Sequence, residues 1–478
     1  MTSQTTAASS LVDDPTVTGA IETIVQSLVD RQRSITGARP GSPELSATLD
    51  GYLSRQEAIK GRPAVLPYVG SGLGRGPLVE LADGSVKWDL INGIGVHMFG
   101  HSDPDLVATA LGAALSDTLM QGNLQFNADA IEFAELLLTE AGRSSALKHA
   151  FLINTGAMAN ESALKLCFQK NAPASRVLAF GRGFAGRTTT MAQIGDSPAN
   201  REGLPLTVPV DYVPFFDPDR ADGSIDESVS RLRQYVRRYP RQHAGFVMEL
   251  VQGEGGFNVA PREFFVPLVE MCREQGIAVW IDEIQTFGRT AEMFYFQQLG
   301  LGEYVDVVTI GKLSQVCACL YTESYQPKPG LLSATFIGST VALQVGRRMI
   351  ERLRDGGYYG PGGRIAKLHE AFSEHAGRLI ERHPEFFGPV SGPSGEPVTA
   401  ARFHGGVGGL MRLTPFGGEK SRILRAVHAL FDEGVIAFYC GQGPHHIRFL
   451  PPVGVMEPAH FDEVFEIVER AFTKVAEA

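Results

Sequence analysis

Three charged residues stand directly behind apolar runs in the middle of this chain. Glu249 follows Ala244-Gly-Phe-Val-Met248, Asp282 follows Ile277-Ala-Val-Trp-Ile281, and Lys312 follows Val305-Asp-Val-Val-Thr-Ile310 with one glycine between. Lysine is scarce, ten against 33 arginines. Taken alone, Lys312 fits a strand-end residue that snorkels to water, and Asp282 fits a turn or helix N-cap. Together they say more. An amine and a carboxylate, 30 positions apart at the ends of separate strands, suit a cofactor that needs both. Pyridoxal phosphate is such a cofactor, because its aldehyde condenses with lysine and its pyridine nitrogen needs an acidic partner.

That cofactor also needs a phosphate cradle. In Phe151-Leu-Ile-Asn-Thr-Gly-Ala-Met-Ala-Asn160 a short apolar strand runs into Thr155, Gly156 and Ala157, where a helix begins. Backbone N–H groups and the Thr155 hydroxyl could hold a dianion there without basic residues; an ordinary capped helix reads the same way. Gly181-Arg-Gly-Phe-Ala-Gly186 spells the dinucleotide pattern GxGxxG, but the threonine-rich stretch behind it lacks the apolar face such a site requires. Phe184 and Arg187 suit other work, an aromatic to stack on a flat ring and a fork for a carboxylate. Arg448, between apolar neighbours in Ile447-Arg-Phe-Leu450, requires an acidic partner or an anionic substrate. Cys317 and Cys319 read as packing residues, and His445-His446 lacks the ligand cluster of a metal site.

The elements that must position these residues follow from periodicity. A strand at 244–251, a helix at 261–275 with Phe264, Phe265, Leu268, Val269 and Cys272 on one face, and a strand at 277–281 form a βαβ crossover. The expectation is an α/β fold with a mostly parallel sheet and flanking helices, in a large domain over 76–345. Residues 346–478 predict a smaller α+β domain, with helices near 345–353, at 364–382 and from about Pro458. Residues 1–75 read as a polar N-terminal segment packing with the small domain, its glycine- and proline-rich stretch 61–75 a loop or linker. The net charge of −10 argues against general nucleic-acid binding. Five scattered cysteines are no disulfide framework. No run of about 18 apolar residues predicts a membrane span, and the first fourteen residues lack the features of a secretory signal. The expectation is a soluble cytoplasmic protein.

Thr155-Gly-Ala-Met-Ala-Asn160, Gln252-Gly-Glu-Gly-Gly256, Asp282-Glu-Ile-Gln-Thr-Phe-Gly-Arg-Thr290 and Gly311-Lys312 resemble, in order and spacing, the class III aminotransferases. The similarity extends from about residue 85 to 455. It implies fold type I and pyridoxal 5'-phosphate, with Lys312 forming the Schiff base, Asp282 on the pyridine nitrogen and Gln285 on the ring hydroxyl. Phe184 would stack on the ring, Thr155, Gly156 and Ala157 would cradle the phosphate, and Thr335 would reach it from the partner in a homodimer with shared sites. Arg187 would hold one substrate carboxylate. Arg448 would hold the second carboxylate of glutamate or 2-oxoglutarate, and Glu254 would pair with Arg448 when the donor lacks that group. The chain departs from the family at Leu250, Ala185, the residues after Lys312 and those after Thr335. The Lys-x-x-Gln-Val-Cys run looks most like the lysine ε-aminotransferase branch, which ranks L-lysine before GABA, ornithine and acetylornithine. Aminomutases, racemases and decarboxylases on this fold would use the same Lys312 and Asp282.

Overall fold

Strand runs buried on both faces need cover on both sides, and helices supply it. A computed structural model describes residues 6–117, 120–391, 397–398 and 403–477. The N-terminal segment is helical over Ala7–Val12, Pro15–Gln32 and Pro43–Lys60. Thr6 and Asp14 cap the first two, and prolines open the second and third. Polar composition concealed these helices; the third buries none of its residues.

Strands β1 (Gly70–Arg75), β2 (Leu78–Leu81), β3 (Val86–Asp89) and β13 (Val435–Ile436) form one sheet in that order. The stretch 61–75, expected to be a loop, is therefore strand from Gly70. As an edge strand with an irregular register between Gly70 and Gly74, β1 needs no apolar alternation. β13 runs parallel to β3, Val435 opposite Trp88, so a strand from late in the chain completes a sheet begun near its start.

The main sheet contains β4 (Leu147–Ile153), β5 (Arg176–Phe180), β6 (Val210–Val213), β7 (His243–Met248), β8 (Ala278–Glu283), β9 (Val307–Ile310) and β10 (Cys317–Thr322), in the order β4-β10-β9-β8-β7-β5-β6. Six strands run one way; β10 alone is antiparallel to both neighbours. The link 311–316 is too short for a crossover, so the chain must return antiparallel. The expected βαβ unit is present: helix Arg262–Gln275 joins β7 to β8, its five predicted core residues are buried, and Gly276 ends it at φ +67°.

Phe264 packs among Phe180, Phe215, Phe216 and Phe265 at ring separations of 5.1–5.6 Å. Phe264→Ala is expected to cost about 3–5 kcal/mol. A lowered denaturation midpoint with an unchanged slope would show it, whereas a change below about 1 kcal/mol would mean the cluster collapses around the gap.

The last sheet orders β11 (His404–Val407), β12 (Leu410–Leu413), β15 (His446–Phe449) and β14 (Phe438–Cys440), all antiparallel. Helices Arg364–Arg382, Lys420–Glu433 and His460–Glu477 accompany it, and Thr340–Asp355 precedes them. Among the described residues no helix is long and apolar enough to cross a membrane. All five cysteines are free and buried.

Candidate active site

The carboxyl ends of β4, β5, β7, β8 and β9 share one edge of the main sheet, where ligands bind in open α/β folds. Glu249, Lys312, the 155–157 turn and the 181–187 loop follow those ends, and Asp282 is the last residue but one of β8.

Asp282 and Glu283 are adjacent on β8, so their side chains take opposite faces. Glu283 accepts from Tyr295 N, Phe296 N and Thr286 Oγ1 at 2.8–2.9 Å, and so holds the start of helix Tyr295–Gln298. Asp282 faces helix Gly156–Lys170. Its Oδ2 accepts from Asn160 Nδ2 at 2.7 Å and its Oδ1 from Ile284 N at 3.0 Å. Asn160 is itself fixed, donating also to Ala185 O at 2.7 Å and accepting from Thr309 Oγ1 at 2.6 Å. Burial raises the Asp282 carboxyl to about 6, against the lowering effect of those hydrogen bonds and of the Lys312 charge.

Lys312 begins a one-turn 3₁₀ segment with φ +57°, a left-handed backbone in a residue that has a Cβ. Such strain persists where surrounding structure holds it, commonly at functional sites. Burial, then the positive charge of Arg448, pushes the amine down to about 7. A lysine that is half neutral near pH 7 is a nucleophile and a proton carrier.

Glu249 accepts from Phe184 N at 2.7 Å and from Gly253 N at 3.0 Å. One carboxylate thus ties the Phe184 loop to the Glu254 turn. Burial and then the negative charge of Asp282 raise it to about 8. The Arg187 guanidinium lies 5.7 Å from the Phe184 ring and is exposed. Gln285 lies against Gly253, where a Cβ would stand 2.4 Å from its Oε1. At the start of helix Gly156–Lys170, Thr155 accepts from Met158 N at 3.2 Å, and the N–H groups of Gly156 and Ala157 have no acceptor within the helix.

Arg448, on β15, is 1% exposed, and its Nη1 donates to Glu254 Oε1 at 2.6 Å. Thr335 is exposed, its carbonyl against Gly122. Nine of the twelve residues singled out from the sequence, Glu249 included, are tied by these hydrogen bonds and neighbouring turns to one sheet edge. Arg187 and Arg448 border it, and Thr335 makes none of the hydrogen bonds just described.

The residues fit pyridoxal phosphate. Gln285 Oε1 is buried without a hydrogen-bond partner, Asp282 is a buried carboxylate bonded only to neutral donors, and a helix N-terminus opens beside them for an anion. The sequence reading missed Asn160 and Thr309. Asn160 is four residues beyond Gly156, one helical turn behind the cradle, and that spacing was the available signal.

The sequence signature of the class-III aminotransferases matches residues 67–472. Acetylornithine aminotransferase of Halalkalibacterium halodurans is 34% identical over 241 residues, which span 50% of this chain and 57% of that protein. The chain thus matches little more than half the length of that relative. Lysine aminotransferase from M. tuberculosis has a TM-score of 0.74 at 22% identity, covering 88% of this chain and 99% of that one. Ornithine aminotransferase from Toxoplasma gondii ME49 has a TM-score of 0.75 at 21% identity, covering 90% and 96%. These two likenesses speak to the fold. Through the match across 67–472, the chain belongs to the class III aminotransferases, pyridoxal-phosphate-dependent transaminases of fold type I.

Proposed function

We propose that this enzyme moves the terminal amino group of an ω-amino acid of the ornithine type to 2-oxoglutarate. N-acetylornithine and ornithine stand ahead of L-lysine. The curated relative at 34% identity is named for acetylornithine, whereas the lysine name comes from a structure at 22%.

Bound pyridoxal phosphate supplies an electron sink for the substrate carbon. Thr155, Gly156 and Ala157 would hold its phosphate by hydroxyl and backbone N–H, Phe184 would cover its ring, and Gln285 would meet its ring hydroxyl. Asp282 would keep a proton on the ring nitrogen. Lys312 Nζ, half neutral near pH 7, would anchor the cofactor and, once freed, would carry the proton lost by the substrate's reacting carbon across to the cofactor. Arg187 orients the donor's α-carboxylate. Thr335 serves the site of a second copy, a role favoured by its exposure beside Phe336, Leu124 and Phe126, apolar side chains 53–101% exposed.

The observation that carries this reading is the Glu254–Arg448 pair at 2.6 Å. A donor with no second carboxylate meets Arg448 already neutralised. A dicarboxylate acceptor takes Arg448 for itself once Glu254 turns away. Glu254→Ala, which leaves a buried guanidinium unpaired, is expected to slow the ω-amine half-reaction roughly 100-fold. The 2-oxoglutarate half-reaction should stay within about threefold. Single-turnover kinetics on N-acetylornithine, ornithine and lysine measure this and rank the donors; equal loss in both halves would overturn the pairing role.

A further inference from the structure

The turn carrying Glu254 is made largely of glycine: residues 252–257 read Gln-Gly-Glu-Gly-Gly-Phe, with Gly256 at φ +126° and Phe257 at φ +52°. Glycine backbones sample widely, and the turn's own bonds, Phe257 N to the Gln252 carbonyl at 2.8 Å and Asn258 Nδ2 to the Gly255 carbonyl at 3.0 Å, leave the Glu254 and Gly256 carbonyls to partners outside it. External ties supply those partners. Arg412 Nη1 donates to the Gly256 carbonyl at 2.6 Å in a buried contact. The same Nη1 lies 3.2 Å from His446 Nε2. A guanidinium only donates, so Nε2 accepts; the His446 proton then sits on Nδ1, which donates to Thr414 Oγ1 at 2.8 Å. A Cβ on Gly256 would stand 2.9 Å from the His446 ring, so the imidazole closes over the turn where only glycine fits.

Arg412 and Arg448 are direct cross-strand partners on β12 and β15, and such partners project from the same face. One strand pair therefore grips the turn twice, Arg448 by the Glu254 carboxylate and Arg412 by the backbone two residues on. Gly441 N, beyond the end of β14, adds a bond to the Glu254 carbonyl at 2.9 Å.

We propose that Arg412 is the positioning residue of the Glu254–Arg448 pair: it fixes the turn's backbone, so that Glu254 leaves and regains Arg448 by side-chain rotation alone. This rests on the pairing role proposed above for Glu254. A turn that drifts masks Arg448 poorly, so loss of Arg412 weakens the half-reaction that needs Arg448 masked, and it acts only through Glu254.

The test is a double-mutant cycle on the holoenzyme, with both half-reactions followed separately. Arg412→Met is expected to lower the rate ratio of ω-amine to 2-oxoglutarate half-reactions about tenfold, and to change it less than about twofold when Glu254 is already alanine. Arg412→Lys, which keeps one donor for the Gly256 carbonyl, should recover about half of that loss on a logarithmic scale. Should Arg412→Met yield too little folded protein, Arg412→Lys in the two backgrounds is read by the same rule. Equal loss in both half-reactions, or the same ratio change with and without Glu254, would make Arg412 merely structural and overturn the proposal. If Glu254→Ala itself leaves the ratio unchanged, the pairing role fails first, and the cycle identifies that failure separately.

Discussion

Lys312→Ala is expected to lower both half-reactions by at least ~10⁴-fold, because one amine serves as anchor and proton carrier. No neighbour can take over. Arg448 and Arg289, whose charges act on Lys312, are guanidiniums, and Asp282 and Glu249 are committed to the backbone and to Asn160. The amine's lowered pKa gives a second readout. In wild-type protein freed of cofactor, the rate of reaction with added pyridoxal phosphate should rise through pH 7 and level off, since burial and then Arg448 bring Lys312 to about 7. An ordinary lysine would still be rising near pH 10. Linkage fixes the sign of the stability effect: between about 7 and the usual 10.5 the unfolded chain binds more protons at this residue. Its contribution therefore makes the cofactor-free protein more stable as pH rises through that window. Stopped-flow absorbance gives the rate profile, and the wild-type minus Lys312→Ala difference in stability isolates the linkage. A rate midpoint above pH 9 would mean Lys312 is solvated, and would remove it from the nucleophile's role.

What the sequence disclosed depended on how local the signal was. Strands β7, β8 and β9 are buried on both faces, so they read as continuous apolar runs and their ends marked the sheet edge. Helix Arg262–Gln275 showed its core face because its five buried residues recur at helical spacing. The N-terminal helices gave no such signal, since Pro43–Lys60 buries nothing and helix capping alone does not separate a polar helix from a loop. Long-range pairing was hidden for another reason. Glu254 and Arg448 are 194 residues apart, and only the family resemblance suggested that they meet. Asn160 lay inside a motif already singled out, yet its function depends on Thr309, 149 residues on. Arg412 had no local mark, because its meaning comes from being opposite Arg448 in a sheet whose register the sequence does not state. Helix and strand follow from period; a site also needs register, and register is tertiary.

Asp282→Asn is the second large effect expected, a loss in turnover of roughly 10³-fold. The substitution nearly preserves shape, but it fails on charge and on hydrogen bonding. Asp282 receives two donors, Asn160 Nδ2 and Ile284 N. An asparagine side chain has one acceptor oxygen, so its NH₂ must face one of those N–H groups, an unmet buried contact worth about 1–3 kcal/mol. Asn160 cannot turn over to relieve it, because its Nδ2 also serves Ala185 O and its Oδ1 receives the Thr309 hydroxyl. The same network sets a pH response. Burial raises Asp282 to about 6 while the Ile284 and Asn160 bonds hold it down, so the ionised form, and activity with it, is lost as pH falls through about 6. Asn160→Ala removes one of the lowering bonds and should move that acid limb to higher pH; a limb that stays in place would show that another group sets it. Turnover of Asp282→Asn within tenfold of the parent would release Asp282 from the ring nitrogen.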